Sequence, residues 1–322
     1  MTVHRLFPSR LVVSLLLAAF ASLAAAADAP PAAAPSTAAA ATPAPGAAAT
    51  KAAPAAKAAA APAATKAPPP IVKAQPGKRF DAIRKRGTLL VGTSWNIPWV
   101  MRDPLGQWQG FEIDIARQLA ADLGVEMTIV ALRFTELATA LEDGRVDVVI
   151  AGYSITPQRA LVVDFSAPYS DSQMELVVRK DLATQDVNRA DVRIGVRAGS
   201  TTEAAASAKL PNARILTFTS ARQLYDAAKA GEIDGALAYA PRTTIAVAES
   251  QGKLAVATGI GSLPHTVEAF AIRKGEQSLL NYLNAWVAYW TADGWIAERR
   301  KYWFESLEWT ARFAPPTADA TR

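Results

Sequence analysis

The chain has 322 residues, 20% of them charged, no cysteine and a formal net charge of +5. The missing cysteine excludes disulfides, thiol chemistry, thiolate metal sites and lipid attachment through a cysteine. All of the excess positive charge precedes residue 76, and the neutral remainder argues against nucleic acid as a partner.

The first 27 residues have the pattern of a secretory signal peptide. Arg5 and Arg10 precede an apolar run over residues 11–23, and small residues end at Ala27. The run is shorter than the roughly 20 residues that a membrane-spanning helix needs. We therefore predict that residues 1–27 are a signal peptide and that the chain is exported; the alternative is an uncleaved N-terminal anchor.

Residues 28–77 are almost entirely alanine and proline with a few lysines. Proline recurs too often for a continuous helix, so this segment is predicted to be a disordered linker. A short polar tail is expected at residues 315–322. Residues 78–314 remain for the folded domain, which is long enough to bury a core without disulfides.

Short apolar runs and amphipathic segments alternate in the first part of the domain. The predicted order is strand 89–93, helix 111–123, strand 127–132, helix 135–142 and strand 146–150. Such alternation is typical of an α/β fold with a mainly parallel sheet and helices on both faces.

A second alternating block follows and predicts a second lobe. It comprises strand 192–196, a helix between Ser220 and Gly231, and strand 233–238. Two C-terminal helices are expected at 276–291 and 293–301. Their tryptophans are interpreted as packing residues because of their helical spacing, and they are Trp286, Trp290, Trp295 and Trp303.

The strand at 146–150 leads into a stretch with the chemistry of an anion site. Ser154 and Thr156 follow the strand, and Pro157 and Arg159 indicate the start of a helical turn. Free N–H groups at a helix start and a planar guanidinium together suit a small carboxylate. The alternative is that Arg159 only caps a helix or pairs with Asp164.

Six segments together resemble the solute-binding proteins of bacterial polar amino-acid ABC importers, the family-3 type. The resemblance extends from about residue 79 to residue 304. The segments are LLVGT (89–93), GQWQGFEIDIA (106–116), GRVDV (144–148), TPQR with VDFSAPY (156–169), GVRAGST (195–201) and GEIDGA (231–236).

The resemblance implies a two-lobed type II periplasmic-binding-protein fold, the Venus-flytrap form, with the ligand cleft between the lobes. Lobe 1 would comprise about residues 79–170 and 268–314, and lobe 2 about 171–267. The two chain crossings between the lobes would form the hinge. It further implies a periplasmic monomer without a cofactor or metal, whose partners are a small solute and an inner-membrane ABC permease.

The resemblance also assigns ligand-binding roles to residues of both lobes. Arg159 would bind the ligand carboxylate, and the aromatic rings would line the pocket. The assigned residues are Arg159, Ser154, Gly152, Phe134, Trp95, Ser200, Thr201 and the residue at position 239; Asn96 and Trp99 are weaker candidates. Ser200 and Thr201 are equally consistent with a helix cap, and Phe134 and Trp95 with the core.

Position 239 departs from the family pattern. The family usually has an aspartate there that neutralises the ligand's α-ammonium, whereas this chain has Tyr239. A tyrosine ring stabilises a cation by roughly 0.5 to 2 kcal/mol, less than a carboxylate in a dry cleft. Either Asp171, Glu175 or Glu268 takes over this role, or the ligand is an organic acid without the α-ammonium.

The chain is expected to be a binding protein and not an enzyme. It has no P-loop, no dinucleotide fingerprint, no nucleophile elbow and no histidine pair at metal spacing. The alternative is carboxyl proton transfer, since the same fold hosts a periplasmic dehydratase of prephenate or arogenate with a glutamate as the acid. Glu175 or Glu268 would be that acid here.

Overall fold

The computed structural model describes residues 77–306 and 308–310. The predicted signal peptide, all but the last residue of the predicted linker, and the predicted C-terminal tail lie outside the described residues. Within the described part, no helix is both long and apolar enough to cross a bilayer.

Helices and strands alternate along most of the described chain. The helices are α1 Arg79–Arg86, α2 Phe111–Asp122, α3 Leu137–Glu142, α4 Pro157–Ala160, α5 Thr201–Lys209, α6 Ala221–Ala230, α7 Arg242–Glu249, α8 Gln277–Asp293 and α9 Trp295–Arg300. The strands are β1 Thr88–Thr93, β2 Met101–Arg102, β3 Trp108–Gln109, β4 Glu126–Ala131, β5 Val148–Val149, β6 Val163–Phe165, β7 Ser170–Arg179, β8 Arg193–Arg197, β9 Arg214–Phe218, β10 Gly235–Tyr239, β11 Leu254–Val256, β12 His265–Glu268 and β13 Ala271–Arg273.

The first sheet has the strand order β4-β1-β5-β13-β6. Its central strand β1 is buried over five of its six residues, as its apolar sequence predicts. β1 runs parallel to β4 and β5, with Val91 opposite both Ile129 and Val148. The carboxyl ends of these three strands therefore point to the same edge of the sheet.

The second sheet has the strand order β11-β7-β10-β8-β9, and β12 pairs with β7. β8 is parallel to both β9 and β10, whereas β7 is antiparallel to β10, β11 and β12. Two sheets with helices between their strands confirm the α/β class and the two-lobed architecture.

The prediction of a mainly parallel sheet is only half right. β13 is antiparallel to β5 and β6, and β7 is antiparallel to every strand that it contacts. These strands belong to the chain crossings or follow them directly. Parallel neighbours require a crossover connection, usually a helix, whereas a strand that enters a sheet directly from the other lobe can pair in the antiparallel direction.

The two crossings between the sheets lie side by side. The first residues of β7 pair with β12, so that Ser170 is opposite Glu268 and Gln173 is opposite His265. A two-stranded antiparallel ribbon thus joins the lobes, at the place where the hinge is expected.

Local signals in the sequence set several helix ends. Ser220 accepts a 3.2 Å hydrogen bond from the Gln223 amide at the start of α6, and Gly231 ends that helix with φ at 76°. A φ in the left-handed region favours glycine at this position. Both predicted helix limits are confirmed.

The C-terminal tryptophans pack as predicted. Trp286 is 5% exposed and Trp303 is 3% exposed. The rings of Trp290 and Trp295 lie 5.3 Å apart, and the indoles of Trp286 and Trp290 both donate 2.7 Å hydrogen bonds to Asp122 of α2. These residues fasten α8 and α9 to the first lobe.

Candidate functional site

The carboxyl ends of the parallel strands of both lobes meet at a cavity between the lobes. Asn96 and Trp99 line it from the first lobe, and Arg197, Ser200 and Tyr239 line it from the second. Its volume is about 20 Å³, close to the space of a single water molecule. The lobes therefore leave little free space at this point, and a solute larger than a water molecule requires them to move apart.

Arg159 is positioned by the short helix α4. The Thr156 side chain caps this helix by accepting a 3.1 Å hydrogen bond from the Arg159 amide, and Pro157 occupies the first helical position. Asp164 is bonded instead to Lys274 at 3.3 Å. An ion pair between Arg159 and Asp164, one of the alternatives from the sequence, is therefore not formed.

The Arg159 guanidinium reaches across the cleft. Its Nη1 donates to the Ser154 carbonyl at 2.7 Å, and its Nη2 donates to the Gly199 carbonyl at 3.1 Å. Ser154 belongs to the first lobe and Gly199 to the second, so that one side chain connects the two. Burial lowers the Arg159 pKa, while Tyr153 and Tyr239 oppose this effect.

A second arginine, Arg197, lies in the same cleft and was not singled out from the sequence. It ends β8, is 7% exposed, and stacks on the Phe134 ring at 3.8 Å. Burial lowers its pKa to about 10, and the like charge of Arg159 contributes to this shift. Within the described residues, its buried Nη1 has no hydrogen-bond partner.

Phe134 contacts both arginines. Its ring is 4% exposed and lies 5.3 Å from the Arg159 guanidinium carbon, compared with 3.8 Å for Arg197. Tyr153 stands beside it at 5.5 Å. The Phe134 ring therefore contacts both guanidinium groups, and the Tyr153 ring contacts that of Arg159.

Trp95 does not line the cavity between the lobes. It forms part of a separate outer groove of about 240 Å³ with Ile97 and Arg222, and the Arg222 guanidinium covers its ring at 4.6 Å. Asn96 and Trp99, the fainter candidates from the sequence, lie nearer to the centre.

Ser200 is the N-cap of α5, as the alternative interpretation of the sequence proposed. Its hydroxyl accepts a 3.4 Å hydrogen bond from the Glu203 amide and donates to the Arg197 carbonyl at 2.6 Å. The hydroxyl of the next residue, Thr201, is hydrogen-bonded to the Tyr239 hydroxyl. Capping and anion binding use the same helix end, so the cap does not remove these residues from the site.

None of the three acids considered for an ammonium group lines the cavity. Asp171 is bonded to Arg300 at 3.1 Å and to His265 at 2.7 Å on the outside of the hinge. Glu175 on β7 accepts a hydrogen bond from the Thr243 hydroxyl.

Glu268, on the hinge strand β12, is hydrogen-bonded to Trp99 of the cavity wall. It is 1% exposed and accepts hydrogen bonds from the Ser172 hydroxyl at 2.7 Å and from the Trp99 indole at 3.4 Å. Burial raises the Glu268 pKa. No group of three or more His, Asp or Glu side chains in the described chain is arranged to hold a metal ion.

A second buried acid, Glu112, accompanies Glu268. It accepts hydrogen bonds from the Gly152 amide at 3.0 Å and from the Tyr169 hydroxyl at 2.6 Å. Burial, and then repulsion by Glu268, raises the Glu112 pKa to about 8. Gly152 has φ at 58° and lies two residues before Ser154, so its amide connects Glu112 to the segment that leads to Arg159.

A sequence profile of bacterial extracellular solute-binding proteins, family 3, matches residues 89–306. The chain belongs to this family. The family-3 resemblance of the ordered segments is thereby confirmed, and this chain is a solute-binding protein.

A solved structure supports the type II fold of this family-3 protein. The ancestral amino-acid-binding protein AncCDT-1, a precursor of cyclohexadienyl dehydratase, is 35% identical and superposes with a TM-score of 0.65. The match covers 70% of this chain and 99% of that protein. The two-lobed Venus-flytrap architecture with its cleft between the lobes is confirmed.

Two curated relatives differ in what they do. The L-cystine-binding protein TcyJ of Escherichia coli is 29% identical over 227 residues, which are 69% of this chain and 84% of the relative. Cyclohexadienyl dehydratase of Pseudomonas aeruginosa is 24% identical over 233 residues, which are 70% of this chain and 86% of the relative. Binding proteins and one enzyme thus share the family-3 fold.

Proposed function

We propose that this family-3 protein is the periplasmic solute-binding component of an ABC importer and closes over a small carboxylate-bearing solute. The observation that supports this most is Arg159, whose guanidinium bridges Ser154 of one lobe and Gly199 of the other. Amino acids are the first class of solute, because relatives such as TcyJ and AncCDT-1 are named for binding them.

Closure and binding are coupled through the planar fork of Arg159. In this structure, the guanidinium donates its hydrogen bonds to two main-chain carbonyls, one of them in the opposite lobe. A carboxylate accepts two parallel hydrogen bonds from the same fork and binds a cation more strongly than a neutral carbonyl does. The solute therefore replaces the weaker acceptors, and both lobes gain contacts when they close over it.

The remaining site residues surround this fork. The main chain at Ser154 and the amides at the start of α5 contact the carboxylate, while Phe134 and Tyr239 form the walls. The proposed ligand-binding set is Arg159, Ser154, Gly152, Phe134, Ser200, Thr201, Tyr239 and, at the outer rim, Trp95.

The division of strands between two sheets supports a chain that leaves the first lobe at about residue 170 and returns to it at about residue 268, with the second lobe at about 171–267. We propose that the chain reaches the periplasm by its N-terminal signal, acts as a monomer, and delivers its solute to an inner-membrane permease. Its family supports this location, since the matching profile describes extracellular proteins.

Binding without turnover is the proposal, although the relationship to a dehydratase makes an enzyme the second candidate. Glu268 is a buried acid with a raised pKa, which is the property that a proton donor needs. However, both of its oxygens already accept hydrogen bonds from Ser172 and Trp99. Incubation with prephenate distinguishes the two, because phenylpyruvate formation above the uncatalysed rate contradicts a pure binding role.

A thermal-shift screen of the full chain tests the proposed solute class. An L-amino acid present at about 100 times its dissociation constant stabilises the folded state by about 2.7 kcal/mol. For a domain of this size, that corresponds to a rise of roughly 5 °C in Tm or more. Each hit is repeated with its amino-acid amide, which has no carboxylate and is expected to give no shift.

The matched acid without the amine completes the screen. Protection by the amino acid but not by this acid shows that the ammonium is recognised despite Tyr239. Equal protection by both shows that the solute class is simple carboxylates. Protection by the amides contradicts the proposal that Arg159 holds a carboxylate.

Replacing Gly199 by alanine is expected to weaken solute binding about tenfold. A Cβ at this position lies 2.8 Å from the Thr135 Cγ2 of the opposite lobe, so the new methyl group holds the closed lobes apart. The matched control is Gly231→Ala, because Gly231 has a similar φ, 76° compared with 70°, but open space around its Cβ. Equal affinities of the two variants by isothermal titration calorimetry contradict this role.

A further inference from the structure

The wall of the interlobe cavity is positively charged. Two arginines line it, Arg197 and Arg242, and no aspartate or glutamate does. Arg242 is neutralised on its outer side by Glu249 at 3.4 Å. Arg197 forms no ion pair within the described residues, so its charge remains available to the cavity.

The burial of Arg197 is costly unless a ligand compensates for it. The residue is 7% exposed, and its Nη1 is buried without a hydrogen-bond acceptor in the part of the chain that the structure describes. The ring face of Phe134, at 3.8 Å, stabilises the cation, and the carboxyl group of Glu268 does so without forming an ion pair. A buried guanidinium with an unused donor suits an anion that arrives from the cleft.

The opposite charge is missing where an ammonium group would need it. Tyr239 occupies the wall, and its hydroxyl is engaged by Thr201. Glu268, a buried acid behind the wall, already accepts hydrogen bonds from Ser172 and from the wall residue Trp99. The cavity therefore has a surplus of cationic groups and lacks a free carboxylate.

Arg159 and Arg197 lie close enough to share one small molecule. Their guanidinium carbons are 5.3 and 3.8 Å from the centroid of the same Phe134 ring, so their separation cannot exceed about 9 Å. This upper limit is consistent with a short diacid of roughly four or five carbons in all, with one carboxylate at each guanidinium.

We infer that Arg197 is a second anion-binding residue and that the preferred solute is a short dicarboxylate, with one acid held by Arg159 and the other by Arg197. This inference rests on the proposed function, because it assumes that Arg159 binds the first carboxylate. It adds the chemical class of the solute and a specificity-determining residue.

Calorimetric titration of the full chain with isosteric acid and amide pairs tests the inference. The probes are L-glutamate with L-glutamine, succinate with succinamate, and glutarate with glutaramate. The diacid of at least one pair is expected to bind about tenfold or more tightly than its amide, because only the diacid satisfies both forks.

Variants at position 197 assign this preference to the side chain. Arg197→Gln is expected to lower the affinity for the diacid about 30-fold and to change that for the amide less than about threefold. Arg197→Lys keeps the charge without the fork and is expected to lie between the two. Arg214→Gln, at an exposed position on β9, is the control and leaves both affinities unchanged.

Several results would overturn the inference. One is that, in every pair, the amide binds to the unmodified protein as tightly as the diacid. Another is that Arg197→Gln lowers the affinities for the diacid and for its amide equally. Monocarboxylate binding that depends on Arg159 but gains nothing from a second acid overturns the inference and leaves the proposed function intact. Failure of every carboxylate to bind overturns both. If Arg197→Gln does not fold, the preference of the unmodified protein decides.

Discussion

Arg159→Glu is expected to reduce the affinity for a carboxylate solute about a thousandfold. The change removes a charge-assisted fork and places a negative charge where the solute's carboxylate binds, and each tenfold loss corresponds to about 1.4 kcal/mol. The fold is expected to persist, because the guanidinium is at the cleft and its two acceptors are main-chain carbonyls that water can reach once the lobes open. Calorimetry against the best solute of the thermal-shift screen measures the loss.

Arg222→Glu is the matched control. Arg222 also lies at the interlobe rim, where its guanidinium covers the Trp95 ring at 4.6 Å, but it is in the outer groove. The same charge reversal there is expected to change affinity less than about fivefold, since exposed charges are screened. An Arg159→Glu variant that retains affinity, with unchanged circular dichroism, contradicts the role given to Arg159.

The predictable part of the site is local in sequence. Arg159 could be found because an apolar strand, two hydroxyl residues and Pro157 precede it within about a dozen positions, and these signals set the strand end and the α4 cap together. Ser200 could be predicted as a helix cap in the same way, because its hydroxyl accepts a hydrogen bond from the amide three positions later. Short-range hydrogen bonds of this kind leave a clear pattern.

The unpredicted part depends on distant contacts. Arg197 ends an apolar strand, which indicates burial, but only the fold brings Phe134 against it. Trp95 was placed in the pocket by a loose match, whereas the bridge between Asn96 and Val100 turns the loop so that Trp95 faces the outer groove. The antiparallel direction of β7 and β13 likewise follows from the hinge and not from any local motif.

Glu112 illustrates the same limit for electrostatics. In the sequence it is one acid of an amphipathic helix, and its spacing indicates nothing unusual. In the fold, α2 carries it to the Gly152 amide, the Tyr169 hydroxyl and a second acid on the hinge strand. These partners are 40 or more positions away in the chain, so only the tertiary structure reveals the shift of its pKa.

Stability is expected to decrease as pH rises towards 8, and Glu112 is the main cause. Its pKa is raised in the folded protein from 4.5 to about 8, so the folded state binds more protons than the unfolded state between these values. The stabilisation is complete below about pH 4.5 and is lost as pH rises through about 8. Glu268, whose pKa is also raised, acts in the same direction. The shift of Glu112 alone corresponds to a loss on the order of 5 kcal/mol.

Glu112→Gln isolates this contribution. The amide resembles the protonated acid, since its oxygen accepts the Gly152 hydrogen bond and its nitrogen donates to the Tyr169 hydroxyl. The free energy of unfolding is measured with urea at pH 5 and at pH 9. The difference between the two values is expected to be on the order of 4 kcal/mol smaller for the variant than for the unmodified protein. Glu126→Gln, at an exposed position on β4, is the control and is expected to keep the original difference. If Glu112→Gln shows the full pH dependence, Glu112 is not the group that causes it and the explanation fails.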